Sequence, residues 1–148
     1  MFKHILIPTD GSAVSNKAAK AGVRLAGQLG ARVTGYYAIE PMPLHAYEES
    51  YSIGGTTIAN ALQKYARGIG EEHLDGMAKL AAKLRIPFKG VVAEARSPYE
   101  GIVRAATRHR CDVIFMASHG RRGVAALILG SVTHKVLTLS KLPVLVYR

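Results

Sequence analysis

With 148 residues, 49% of them hydrophobic and 20% charged, the chain has the size and balance of one soluble domain spanning residues 1–148. No apolar run approaches a membrane-spanning length and Ile5-Leu6-Ile7 is too short for a secretory leader; together with the lone Cys111, this excludes an internal disulfide and makes a cytoplasmic protein the expectation. A net charge of +10 favours anionic partners, yet the basic residues are spread along the chain without zinc-finger spacing or aromatic interleaving, which argues against specific nucleic-acid recognition.

In chain order, Lys3 to Pro8 reads as a buried strand, an Ile-rich run closed by proline. Asp10-Gly11-Ser12 supplies a turn and a helix N-cap, and Val14, Ala18, Ala21, Leu25 and Leu29 follow at helical spacing until Gly30. Ala31 to Ile39 predicts a second strand. Pro41 to Gly55 fits no period and reads as a surface loop. A long helix then carries Ile58, Leu62, Tyr65, Ile69, Met77, Leu80 and Leu84 as its apolar seam, with His73 on the same seam as a packed imidazole. Phe88 to Ala93 is a third strand. Ser97-Pro98-Tyr99-Glu100 has the pattern of a capping box opening a helix that buries Ile102, Val103 and Ala106. Asp112 to Ala117 is a fourth strand, followed by a glycine-spaced loop, a helix from about Ser131 to Ser140, and a closing strand from Pro143 to Tyr147.

Apolar strands alternating with amphipathic helices predict an open five-stranded parallel α/β sheet covered on both faces. Ligands of such sheets sit beyond the carboxyl ends of the strands, where the strand order reverses. The two chemically marked loops are Pro8-Thr9-Asp10-Gly11-Ser12 and Ser118 to Ser131. If both flank one crevice, the first and fourth strands are neighbours and the order is 3-2-1-4-5.

The second loop has reasons to hold an anion. Gly120 and Gly123 permit positive φ, so that successive N–H groups can converge, and Gly130-Ser131 opens the last helix with its positive dipole end toward the crevice. Ser131 and Thr133 could add hydroxyl donors, Arg121 and Arg122 charge, and a bulky side chain at Gly130 would be expected to occupy the phosphate position. Asp10 faces the same crevice, where a carboxylate suits a ribose diol; its other role would be plain helix capping. His119 is the one histidine expected in the crevice. A Walker loop, a dinucleotide fingerprint, a Ser-His-Asp set and a metal-ligand cluster are all missing from the sequence.

These segments resemble the universal stress protein family over essentially the whole chain: Ile5-Leu6-Ile7-Pro8-Thr9-Asp10-Gly11-Ser12, Ile114 through Gly123, Leu129-Gly130-Ser131-Val132-Thr133, and Pro143-Val144-Leu145-Val146. The family's nucleotide-binding branch has the pattern G-x2-G-x9-G-[ST], matched here at Gly120, Gly130 and Ser131, with Ala117 in place of the first glycine. The resemblance implies a stress-response sensor or signalling protein that binds ATP or a related adenine nucleotide, with slow hydrolysis at most and Mg2+ or Mn2+ held through the phosphates. It implies that Asp10 and the backbone at Ala117 meet ribose, Ala38 meets adenine, and Gly120, Gly130, Ser131 and Val132 hold phosphates. Pro8, Thr9, Ser118, His119 and Arg121 complete the expected lining. It also implies a homodimer through the last strand, which would cover an apolar sheet edge. A second branch lacks the glycines and binds no ATP, so a nucleotide-free dimeric adaptor is the alternative expectation.

Overall fold

The computed structural model describes residues 1–41, 56–120 and 129–148. Nine elements alternate within them: β1 (His4–Pro8), α1 (Ala13–Leu29), β2 (Arg32–Ile39), α2 (Thr56–Lys83), β3 (Phe88–Glu94), α3 (Pro98–Arg108), β4 (Val113–Ala117), α4 (Ser131–Leu139) and β5 (Val144–Tyr147). The five strands form one parallel sheet in the order β3-β2-β1-β4-β5. This is the order that the two marked loops imply.

The continuous apolar strands are explained by helices on both faces. Ile5, Leu6 and Ile7 are fully buried, but they alternate: Ile5 and Ile7 join Val23 and Ala26 of α1 and Leu74, Met77 and Ala81 of α2. Leu6 points the other way, with Tyr36, Ile114 and Met116, onto Ile102 and Ala106 of α3 and Val136 of α4. Burying each such aliphatic side chain stabilises the fold by about 1.5–3 kcal/mol. Cys111 lies in this second layer, where burial pushes its thiol up to about 11 and keeps it protonated at neutral pH.

Two local expectations are corrected. The expected seam of α2 holds at Ile69, Met77 and Leu80, which pack on the core, but not at Ile58, Leu62, Tyr65 and Leu84, which are exposed; Ala59, Leu74 and Ala81 are buried as well. Small residues decide this register. A Cβ at Gly70 would lie 2.8 Å from both Tyr37 and Val92, so the helix settles close to the sheet along its small-residue face. The capping box of α3 does not form either. Pro98 does open the helix, but Ser97 makes no side-chain cap and Glu100 accepts the Tyr99 hydroxyl at 3.0 Å.

Three helices end in the same way, with a residue in the left-handed region followed by a buried one whose N–H reaches back five residues. The bonds are Ala31 to Ala26, Ile86 to Ala81 and Cys111 to Ala106, at 2.9, 2.8 and 2.8 Å. After α1 the left-handed residue is Gly30, with φ 64°, but after α2 and α3 it is Arg85 at 56° and Arg110 at 55°. A residue with a Cβ costs about 1–2 kcal/mol in that conformation.

At the start of β1, His4 is buried with Nε2 2.8 Å from the Thr34 hydroxyl. Burial, then the Arg32 charge, hold its imidazole below the ordinary value of 6.5. The unfolded chain therefore takes up that proton first, so stability is full above about pH 6.5 and falls as pH drops below it. Urea midpoints from pH 7.5 to 5.0 are expected to decline, and less steeply in His4→Gln. An equally steep decline in that variant would contradict this account of His4.

Candidate functional site

The loop after β1 is built around one carboxylate. Thr9 extends the ladder past Pro8, its N–H bonding the Tyr36 carbonyl at 2.9 Å. Asp10 Oδ1 then accepts the Ser12 N–H at 3.0 Å and the Ser15 hydroxyl at 2.7 Å. Ser12 is the N-cap of α1, its hydroxyl accepting the Ser15 N–H at 3.2 Å. The Thr9 and Ser15 hydroxyls lie 2.9 Å apart, and Gly11 N–H donates to Thr9 Oγ1 at 3.1 Å. Asp10 thus braces the turn without being the cap, and its Oδ2 lies toward Gly120 of the opposite loop.

The loop after β4 is closed at its neck. Ser118 N–H donates to the Tyr147 carbonyl at 2.9 Å, and Gly130 N–H donates back to the Ser118 carbonyl at 2.8 Å. The Ser118 hydroxyl and His119 Nδ1 are 3.0 Å apart. Gly130 is the N-cap of α4 and brings no side-chain cap, so the N–H groups of Ser131 and Val132 have no partner within the helix. They open toward the crevice with the positive end of the helix dipole.

The two described glycines serve a purpose other than the expected one. Neither Gly120 nor Gly130 has a positive φ. Both are needed because of close approach: a Cβ at Gly120 would run into Asp10 Oδ2, and one at Gly130 would lie 3.0 Å from His119 Cα and 3.3 Å from the Ser118 carbonyl. A bulky residue at Gly130 would therefore push the His119 backbone away, and would not simply fill a phosphate position. Ala117 is buried at the end of β4 and lies outside the positive-φ region, so its methyl group sits in ordinary extended backbone.

The fold brings Pro8, Thr9, Asp10, Ser118, His119, Gly120, Gly130, Ser131 and Val132 to the carboxyl ends of β1 and β4, with Ala38 near the end of the neighbouring β2. Thr133 is corrected: its hydroxyl is buried and donates to the Ala117 carbonyl at 3.0 Å, so it holds the strand end and is no phosphate donor. Arg121, Arg122, Gly123 and most of the Pro41–Gly55 segment lie outside the described residues. His119 is not the only histidine at this end. The His73 ring stacks on Tyr37 with centroids 5.4 Å apart and packs against Gly11, whose φ is 81°. His73 lies 62 positions from Gly11, and no local pattern links the two. A shallow hollow of about 460 Å³ lined by Tyr99, Val103, Arg104 and Leu139 lies away from this crevice, on α3 and α4.

The close approach can be measured. Gly120→Ala is expected to cost about 1–3 kcal/mol of unfolding free energy by overpacking. In an Asp10→Ala background the cost should fall below half, a coupling that a double-mutant cycle reads directly. Equal costs in both backgrounds would mean that position 120 does not press on Asp10.

Comparisons with known proteins agree over the full chain. The sequence profile of the Universal stress protein family matches residues 1–148. The universal stress protein MJ0531 of Methanocaldococcus jannaschii is 30% identical over 148 residues, covering 100% of this chain and 83% of that protein. The solved structure of MJ0577, from the same organism, is similar with a TM-score of 0.79 and 27% identity, covering 99% of this chain and 95% of that one. A universal stress protein solved in complex with cAMP shares the fold, with a TM-score of 0.67 and 20% identity over 99% of this chain and 97% of that one.

Proposed function

The chain belongs to the universal stress protein family, and we propose that it binds an adenine nucleotide, ATP or a close relative, in the crevice between the β1–α1 and β4–α4 loops. The observation that carries this reading is the contact between the loops. Gly120 stands where a side chain would run into the Asp10 carboxylate, and Gly130 stands against the His119 backbone, so both loops border one space beside a helix N-terminus whose N-cap, Gly130, has no side chain. Ala117 supports the reading as well, because extended backbone accepts a methyl group without strain.

In this reading the Asp10 carboxylate and the backbone at Ala117 meet the ribose, and the backbone of Ala38 meets the base. The N–H groups around Gly120, Gly130, Ser131 and Val132 hold the phosphates, with Pro8, Thr9, Ser118, His119 and Arg121 around them. Convergent N–H donors supply most of the hold, since an exposed helix dipole contributes only about 0.3–1 kcal/mol. Among the described residues no three His, Cys, Asp or Glu side chains gather around one point, so an accompanying Mg2+ or Mn2+ would be carried by phosphate oxygens. The hydroxyl–imidazole pair at the crevice, Ser118 with His119 at 3.0 Å, belongs to a buried serine; the role is sensing or signalling in the cytoplasm, with slow hydrolysis at most. The second copy of a homodimer pairs along β5, whose exposed edge carries Val144, Leu145 and Val146.

The test is a titration with ATP by calorimetry, alongside Ser131→Glu. A carboxylate in the first turn of α4 favours the helix but repels a phosphate at the same N–H groups. Saturable binding below millimolar nucleotide is expected, with at least a tenfold loss in Ser131→Glu and an unchanged melting temperature. No saturation at millimolar ATP, or equal affinity in the variant, would defeat the assignment.

A further inference from the structure

The end of the sheet opposite the crevice carries a row of positive charge. Basic residues that are scattered along the sequence meet there, because every helix-to-strand connection ends at that edge. Across the sheet, in the order β3-β2-β1-β4-β5, the residues at the strand starts are Arg85, Arg32, Lys3, Arg110 and Lys141, one for each strand. All five are exposed. The offset repeats as well: Arg85, Arg110 and Lys141 each stand two residues before Pro87, Asp112 and Pro143, which begin the pairing of their strands through the bonds Val33 to Pro87, Asp112 to His4 and Ile114 to Pro143. At about 4.8 Å between strands, five starts span about 19 Å.

Among the described residues little neutralises this row. The connections 30–31, 84–87, 109–112 and 140–143 contain a single acid, Asp112, whose carboxylate accepts the backbone N–H groups of Lys3, at 2.7 Å, and His4, at 3.2 Å. Among the described residues none of the five cations is in an ion pair; Lys79 with Asp75 is a separate pair on α2. His109 reports the local field: burial and the charges on Lys89 and Arg108 hold its imidazole below the ordinary value. Arg85 and Arg110 add a second, independent observation. Each occupies a left-handed helix end at which Gly30 shows the unstrained choice, so the positions carry a guanidinium in spite of the backbone.

We propose that this row is a sequence-independent binding surface for the phosphate backbone of duplex nucleic acid. Guanidinium and ammonium groups carried on a line of evenly spaced strand starts suit a linear array of phosphates. No exposed aromatic side chain stands in these connections to stack an unpaired base, which favours a duplex over a single strand. Leu84, 42% exposed, is the one large apolar side chain exposed in the same connections, too little to anchor the row in a lipid surface. Base edges are not read, so the proposal agrees with the lack of a recognition motif.

The left-handed arginines supply a variant that leaves the fold intact, since glycine is at ease in their conformation. The experiment measures binding of the full chain to a mixed-sequence 20-base-pair duplex by fluorescence anisotropy between 20 and 200 mM salt, for the parent and for Arg85→Gly/Arg110→Gly. Expected are a slope of log K against log salt of about −4.5, from five contacts, reduced by about 2 in the double variant. At least a tenfold affinity loss at low salt is expected there too, with an unchanged or higher melting temperature. Saturating ATP should leave duplex binding intact, because the nucleotide crevice lies at the other end of the strands. Absence of duplex binding at 20 mM salt, equal binding by the double variant, tighter binding of oligo-dT of the same length, or binding confined to anionic vesicles or an acidic polypeptide would each overturn the proposal. So would competition by ATP.

Discussion

Everything at the candidate site follows from the pairing of β1 with β4 at the middle of the sheet, Ile5 beside Val113 and Leu6 beside Ile114. A parallel sheet delivers each strand-to-helix loop to the same end, but only neighbouring strands bring their loops into contact. With β2 on one side of β1 and β4 on the other, the chain turns in opposite directions from the two central strands. Their loops separate to opposite faces and leave a crevice between them. Any other neighbour for β1 would have left Asp10 and Gly120 apart.

How closely the loops then approach is limited by missing side chains. Gly120 and Gly130 are usually valued for the backbone conformations they allow, yet here both have ordinary dihedral angles. Their contribution is volume. With hydrogen in place of a methyl group, one loop can press on the Asp10 carboxylate and the helix N-terminus can fold back against His119. The same logic explains why an alanine is tolerated at 117, where the buried methyl points away from any such contact and the Thr133 hydroxyl secures the carbonyl. The rest of the scaffold holds Asp10 still, through Ser12, Ser15 and Thr9.

The sequence discloses the architecture well because both signals that define it are local. Buried parallel strands are unbroken apolar runs, and Ile5-Leu6-Ile7 and Val113-Ile114-Phe115-Met116 are short, β-branched-rich runs of that kind. The positions of the marked loops then constrain the strand order. Features that depend on packing are less legible. Periodicity gives α2 an apolar stripe through Ile58, Leu62 and Tyr65, but it does not show that Gly70 lets the helix sink onto Tyr37 and Val92 along a different line. Ser97 and Glu100 have the spacing of a capping box, and Tyr99 takes the glutamate instead. His73 at Gly11, and the alignment of five basic residues along one sheet edge, join parts of the chain that are distant in sequence. The packing of α2 creates the first and the register of the sheet the second.

The described residues thus separate their chemistry along the strand axis, with the glycine-started N-terminus of α4 and one braced carboxylate at one end and a line of cations at the other. The central claim is that the two loops form a single nucleotide crevice, and backbone amide chemical shifts recorded during addition of ATP test it most directly. The account predicts that Gly11, Ser12 and Ala38 shift together with Gly120, Ser131 and Val132, along one saturation curve. Shifts confined to one loop, or saturating only at the helix-to-strand connections at the far end, would contradict it.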